Sequence, residues 1–350
     1  MIGEPPVSLV PFILSRNLSE NRFALFELRS VMKILVLHSD IGADAPPEEL
    51  DTLIAADAVA AALEARGHQV KKAAFQESTL KDVLAVTRPD IVFNLVEGVE
   101  GQGRLAPRAP EMLAALGQRF TGVSAKAMAV TNDKPLTKTM LRQAGLATPD
   151  WAVPPHWAGL DRGRWIVKSA LEDASLGLDD GAVVEGGAVA KRAADCAARF
   201  GGDWFAERYI EGREFNIALL GTKETCRVLP MAEMRFERWP EAKPRIVGYD
   251  AKWEEDSAGW NGTVRAFGVE RREPGLAAAL RSSCERAWTL FGLTGFARVD
   301  FRVGVDGLPL ILEINSNPCI SPDAGFAAAA AEAGLSYGDL VEAITLAAPP

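Results

Sequence analysis

Residues 296 to 318 read F-A-R-V-D-F-R-V-G-V-D-G-L-P-L-I-L-E-I-N-S-N-P, two alternating runs joined through Asp306-Gly307. An Asp-Gly pair between such runs predicts a β-hairpin with a two-residue turn. That turn pairs Val305 with Leu308 and sets Asp300 opposite Glu313. Because side chains alternate along a strand, one face of the ribbon gathers Val299, Phe301, Val303, Leu310, Leu312 and Ile314. The other face gathers Arg298, Asp300, Glu313 and Asn315. Two carboxylates in direct opposition repel unless a cation lies between them. One reading of the polar face is the solvated side of an ordinary hairpin; the other is a metal site. Asn-Ser-Asn-Pro follows at once, so the acidic cluster sits at a strand end beside a turn. An all-oxygen set of Asp, Glu and Asn suits a hard cation, and Mg²⁺ commonly takes one or two carboxylates plus substrate phosphates. Such a site calls for a phosphate binder elsewhere in the chain.

The upstream pattern supplies candidates. Met32 opens Lys33-Ile34-Leu35-Val36-Leu37-His38, which reads as the first buried strand of an α/β domain. A helix over about 51–66, a strand near 69–75, a further helical stretch and a strand over 90–95 follow. That alternation implies a mainly parallel sheet covered by helices. The glycine-rich stretch 97–103 comes after the last of these strands, where open α/β sheets bind ligands; it is equally compatible with a plain surface loop. Residues 131–135, T-N-D-K-P, start a helix carrying Leu136, Met140 and Leu141 and ending at Gly145. Lys168 ends the apolar strand 165–168 beside a small-residue loop, 173–177, whose amides could hold phosphate. Taken alone, either lysine is also readable as a solvated charge. A helix over 188–200 and strands at 204–209 and 214–220 follow, and Leu276, Leu280, Cys284, Trp288 and Phe291 mark an amphipathic helix.

Length and charge bound the rest. A chain of 350 residues suits two or three packed units. A net charge of -9 argues against nucleic acid or an anionic membrane as partner. Cys196, Cys226, Cys284 and Cys319 show neither CxxC spacing nor a zinc pattern with the three histidines, which predicts reduced thiols in a cytoplasmic protein. The apolar stretch 7–14 lacks a basic leader and is too short to span a bilayer, so 1–31 is expected to be a poorly ordered appendage, with Met32 a second candidate start.

In combination the motifs resemble the ATP-grasp enzymes, and among them the D-alanine–D-alanine ligases. The matching pieces occur in the family's order from about Met32 to Ile344: Asn132-Asp133-Lys134, Ile166-Val167-Lys168, the stretch E-R-Y-I-E-G-R-E at 207–214, Tyr249-Asp250-Ala251-Lys252, Arg298-Val299-Asp300, and L-E-I-N-S-N-P at 312–318. The resemblance implies an α/β ATP-grasp fold: an N-terminal open parallel domain over 32–130, a central subdomain over 131–211 and a C-terminal subdomain with the metal site over 212–350. It also implies that Lys134 and Lys168 hold ATP phosphates, with Ser175 in the loop that covers them. Glu207 and the backbone near Ile210 would meet the adenine edge, Glu214 the ribose, and Lys252 the γ-phosphate. Asp300, Glu313 and Asn315 would bind Mg²⁺, and Arg298 would steady the charge that develops as a carboxylate is phosphorylated and then attacked by an amine.

The sequence departs from the ligase pattern in a cluster. The Glu-Gly-Ser-Ser loop is replaced by Glu172-Asp173-Ala174-Ser175, and the tyrosine after the Glu-Ala-Lys stretch by Trp253. The Gly-Gly-x-Ser-x-Glu start reads H-S-D-I-G-A at 38–43, the histidine of the His-Gly loop is missing, and Cys319 stands at the glycine of Asn-x-x-Pro-Gly. The nucleotide set is intact; the residues that choose the joined substrates are not. The leading expectation is therefore a D-alanine–D-alanine ligase-like, ATP- and Mg²⁺-dependent carboxylate–amine ligase acting through an acyl phosphate on small amino acid or peptide substrates, with D-alanyl-D-alanine as its candidate product and a homodimer open. The alternatives are a ligase for amino acids other than D-alanine or for a small peptide, and a nucleotide-binding regulator without catalysis.

Overall fold

The hairpin anticipated above forms the far edge of the largest sheet. The computed structural model describes residues 31–42, 45–157, 160, 162–172, 175–241 and 243–349. The expected appendage, apart from Val31, and the loop residues Asp173 and Ala174 lie outside the described residues.

Met32–Pro350 form one compact unit. It begins with β1 (Lys33–His38), α1 (Pro47–Glu64), β2 (Gln69–Ala74), α2 (Leu80–Thr87), β3 (Ile91–Leu95) and α3 (Arg108–Ala115). The strands pair in parallel in the order β2-β1-β3. The helix expected from Asp51 starts a turn earlier, because Pro47 is compatible with the first helical position.

The chain continues through α4 (Ala125–Asn132), α5 (Lys134–Gln143), β4 (Trp151–Ala152), β5 (Arg164–Ser169), β6 (Val183–Glu185), α6 (Val189–Phe200) and β7 (Trp204–Arg208). Asp133 caps α5 by accepting from the Leu136 amide at 2.9 Å. The strands form an antiparallel sheet, β4-β7-β5-β6, with Val189 and Cys196 of α6 packed on Trp165, Val167 and Trp204.

The last part holds β8 (Arg213–Gly221), β9 (Cys226–Val228), β10 (Ala232–Phe236), α7 (Tyr249–Trp253), α8 (Ala258–Gly262), β11 (Thr263–Ala266), α9 (Val269–Arg272), α10 (Pro274–Phe291), β12 (Gly295–Val303), β13 (Pro309–Asn315), α11 (Gly325–Glu332) and α12 (Tyr337–Leu346). Its antiparallel sheet runs β11-β10-β8-β12-β13, with β9 on the end of β8. Leu280, Cys284 and Trp288 of α10 cover one face, against Phe215, Ile217, Val299 and Phe301. A separate core joins Ile34, Val36, Val59 and Leu63 to Phe326, Leu340, Val341 and Ile344, so α11 and α12 fold back onto the first sheet.

Asp300 does pair with Glu313, but the turn is not the two-residue one expected. Val303 pairs with Pro309, which leaves residues 304–308 as the loop, and the register shifts between Asp300 and Phe301. Leu312 is the extra residue of this bulge. A one-residue slip exchanges the faces of a strand, so Ile311 enters the core in place of Leu310 and Leu312, while Leu312 turns toward the cavity described next. Val305, expected to pair, is fully exposed.

Candidate functional site

The polar face of β12 and β13, the ends of β5 and β7, α5 and the loop after β3 converge on a cavity of about 890 Å³. Its walls include every residue singled out from the sequence: Lys134, Lys168, Ser175, Glu207, Ile210, Glu214, Lys252, Arg298, Asp300, Glu313 and Asn315. Ile166, Ile210, Ile246 and Leu312 add apolar surface.

Lys134, the first residue of α5, is tied to the loop after β5 through its backbone and its side chain. Its amide donates to Ala170 O at 3.0 Å and its ammonium to Glu172 O at 2.9 Å. The Glu172 carboxylate then accepts from the Gly103 amide at 2.6 Å, joining this loop to the glycine-rich loop. A Cβ at Gly103 would stand 2.7 Å from that carboxylate oxygen, which explains the glycine. Ser175 holds a left-handed backbone, φ 63°, and donates to Val247 O at 3.3 Å. The hydroxyl of Ser39 accepts from the Glu97 and Gly98 amides at 3.1 and 3.2 Å.

Lys168 donates to Glu207 Oε1 at 2.9 Å. Glu207 also meets Lys138, which the sequence reading passed over. Lys138 is fully buried and donates to Thr148 Oγ1 at 2.9 Å. Its signal was its place one turn after Lys134, among the buried residues Lys134, Thr137, Lys138 and Leu141 of α5. Burial by itself would raise the Glu207 carboxyl, but the two ammonium groups outweigh it and hold the acid below its ordinary range. Burial pulls Lys138 down while Glu207 opposes it. We take the cluster as charged, because one carboxylate between two ammonium groups is compensated from both sides. Each oxygen of Glu207 thus faces one ammonium, and the residue lines the cavity.

Glu214 is buried against Arg302, 2.8 Å away, and burial lifts its carboxyl. Arg302 continues the alternation of Arg298 and Asp300 along β12, a period-two signal the sequence reading also left unused. Arg298 grips both Asp300 oxygens with Nε and Nη2, each at 2.8 Å, and Asn315 Nδ2 donates to Asp300 Oδ2 at 3.2 Å. Arg298 is half-buried, and Asp300 keeps its guanidinium firmly protonated. Glu313, next to these, is held well below the usual carboxylate range, because Lys134, Lys168, Lys252 and Arg298 together outweigh its burial. Burial and Arg298 lower Lys252. Trp253 and Trp260 line the same cavity.

Comparison with known proteins identifies the family. A family model described as the D-ala D-ala ligase C-terminus matches residues 164–345. The D-alanine–D-alanine ligase of Moorella thermoacetica is 31% identical over 329 residues, covering 89% of this chain and 98% of its own. An uncharacterised protein of Sinorhizobium fredii, y4sG, is 32% identical over 85% of this chain and 88% of its own. The crystal structure of the Bacillus anthracis D-alanine–D-alanine ligase complexed with ATP aligns with 91% of this chain and 97% of that one, at a TM-score of 0.70 and 18% identity, and the shared architecture is the ATP-grasp fold. This chain belongs to the D-alanine–D-alanine ligase family.

Proposed function

We propose that this ATP-dependent, ADP-forming carbon–nitrogen ligase binds ATP in the cavity between its two antiparallel sheets, with the three segments 32–130, 131–211 and 212–350 acting as its working parts. One observation carries the reading. Four cations, Lys134, Lys168, Lys252 and Arg298, act on the single carboxylate Glu313, which stands in register with Asp300. Such an array suits a polyphosphate and a hard cation together.

The donor set fits magnesium. Among the described residues no group of three or more His, Cys, Asp and Glu side chains gathers around a point, which disfavours zinc. Asp300, Glu313 and Asn315 offer two carboxylates and an amide, and Glu313 makes no hydrogen bond or ion pair with another described residue. Magnesium held there would neutralise charge on the β- and γ-phosphates.

The reaction makes an amide from a carboxylate, which is a poor acyl donor until it is phosphorylated. Lys134 and Lys168 anchor the phosphates, and the pair of Glu207 and Lys138 keeps Lys168 aimed at them. Ser175 positions the loop above. Glu214 receives the ribose, and the backbone at Ile210 with the apolar walls Ile166 and Leu312 receives the base. Lys252 approaches the γ-phosphate. Arg298 stabilises the negative charge as the carboxylate attacks phosphorus and again as the amine expels phosphate.

The second reading concerns the substrates. Trp253 and Trp260 give the cavity wide apolar surfaces, the Ser175 hydroxyl donates to Val247 O, and Ser39 Oγ accepts from two backbone amides. This supports an amino acid bulkier than D-alanine, or a small peptide, as the activated carboxylate. We place the enzyme in the cytoplasm, acting on small molecules rather than nucleic acid or membrane; a homodimer is the assembly to test. Among the described residues no helix is long and apolar enough to cross a membrane. Phosphate release from ATP, followed with and without a panel of amino acids and dipeptides, tests the activity. Hydrolysis indifferent to every member, or no nucleotide turnover at all, would overturn the ligase reading in favour of a nucleotide-binding regulator.

A further inference from the structure

Among the cations that line the cavity, Lys252 and Arg265 form no ion pair with a described residue. Their surroundings differ. Lys252 lies in the field of three carboxylates, Glu313, Asp300 and Glu214. Arg265 has Arg298 as its strongest charged neighbour, with Asp323 as the opposing acid. It makes no hydrogen bond with any described residue. The other cavity cations are committed: Arg298 to Asp300, Lys168 to Glu207, Arg302 to Glu214, and Lys134 and Arg208 to the backbone carbonyls of Glu172 and Arg162.

The fold places Arg265 deliberately toward the chemistry. It sits on the edge strand β11 opposite Met234 of β10, and Arg298 sits on β12 opposite Ala218 of β8. On the two strands between, Ala218 and Ala232 line the cavity with small side chains beside the longer Glu214, Asn216 and Met234. At the other side a Cβ on Gly325 would stand 3.3 Å from Arg265 Nη2, so the glycine gives the guanidinium room. A half-buried guanidinium keeps its charge and its five donors, and donors without acceptors are costly. The array around Glu313 already matches the nucleotide and its metal. Arg265 is surplus to that match and beside the residue that stabilises acyl transfer.

We propose that Arg265 is a specificity residue for the amine-donating substrate, receiving the free carboxylate of an α-amino acid through its planar fork. This rests on the ligase reading above. Holding that carboxylate at Arg265 keeps it away from the γ-phosphate, so that the other substrate's carboxylate is the one phosphorylated. It also turns the neighbouring amine toward the acyl group at Arg298. A simple amine, or an amino-acid amide, lacks the group that Arg265 reads.

The test follows acceptor-dependent phosphate release by the full chain with ATP and Mg²⁺, for α-amino acids each paired with its own carboxamide. The wild-type protein is expected to prefer the acid by about 10- to 100-fold in kcat/KM, the range of one charge-assisted hydrogen bond. Arg265→Gln is expected to reduce that preference to within about threefold while the KM for ATP stays unchanged, and Arg265→Lys to restore part of it, since an ammonium keeps the charge without the fork. Should the Gln variant fail to fold, the Lys variant decides alone, through a raised acceptor KM at unchanged ATP KM. Preference for the acid that survives in Arg265→Gln, or an acceptor KM unmoved in Arg265→Lys, overturns the assignment and leaves the ligase reading standing. No acceptor-dependent release by the wild-type protein removes both.

Discussion

Asp300 and Glu313 stand in register across β12 and β13, and Arg298 clamps both oxygens of Asp300 while Glu313 has no hydrogen-bonding partner among the described residues. Replacing Glu313 by Gln keeps the shape and removes the charge. We expect kcat to fall by about 100-fold or more, the scale of losing one electrostatic stabiliser, with the magnesium requirement shifted to higher concentration. A Glu313→Gln enzyme with wild-type turnover would remove the metal assignment.

Acid tests the same residue differently. Glu313 and Glu207 both have carboxyls below the ordinary value of 4.5. Their contribution to stability is therefore complete above that value and is lost as pH falls through the lower folded-state values. Tm measured from pH 6 downward should decline along this acid limb, and the decline should be shallower in Glu313→Gln. An identical limb in both proteins would show that Glu313 is not ionised against the cations.

Glu214 and Arg302 form a buried pair at 2.8 Å. Glu214→Ala would strand the Arg302 charge and cost about 3–5 kcal/mol, so Glu214→Gln is the informative change. It should weaken ATP binding by about tenfold, one hydrogen bond's worth, and leave amino-acid affinity alone. Equal weakening of both ligands, measured by titration calorimetry, would rule out a ribose contact.

Lys138 has no surface of its own in the cavity, and its effect is expected to pass through Glu207 and Lys168. Lys138→Met should lower stability by about 3 kcal/mol, because the buried Glu207 keeps only one of its two cations, and raise the KM for ATP. Unchanged denaturant midpoint and unchanged KM would show the pair to be dispensable.

D-alanine as sole amino acid should be a poor substrate pair, since Trp253 replaces a hydroxyl-bearing side chain with apolar surface. Formation of D-alanyl-D-alanine at about 10 s⁻¹, an ordinary enzyme rate, would overturn this expectation.

What could be read along the chain was whatever depends on near neighbours. Strand alternation paired Asp300 with Glu313 and put Arg298 and Asn315 on their side. Helical spacing and Asp133 marked the start of α5, and the ordered motifs identified the fold and the eleven residues that the cavity brings together. Tertiary structure decided the rest. The bulge at Leu312 is invisible to alternation, because a register slip is settled by which side chains the core under α10 accepts. Lys138 reads as a surface lysine until α5 packs it beside Glu207 of β7, and Arg265 reads as an edge-strand charge until the fold puts Arg298 and Gly325 around it. The sequence determined which charges this protein has and on which faces of its elements they lie; only packing between elements distant in the chain decided which were neutralised by a partner and which were left to meet a substrate, because that depends on distances across sheets that no local pattern encodes.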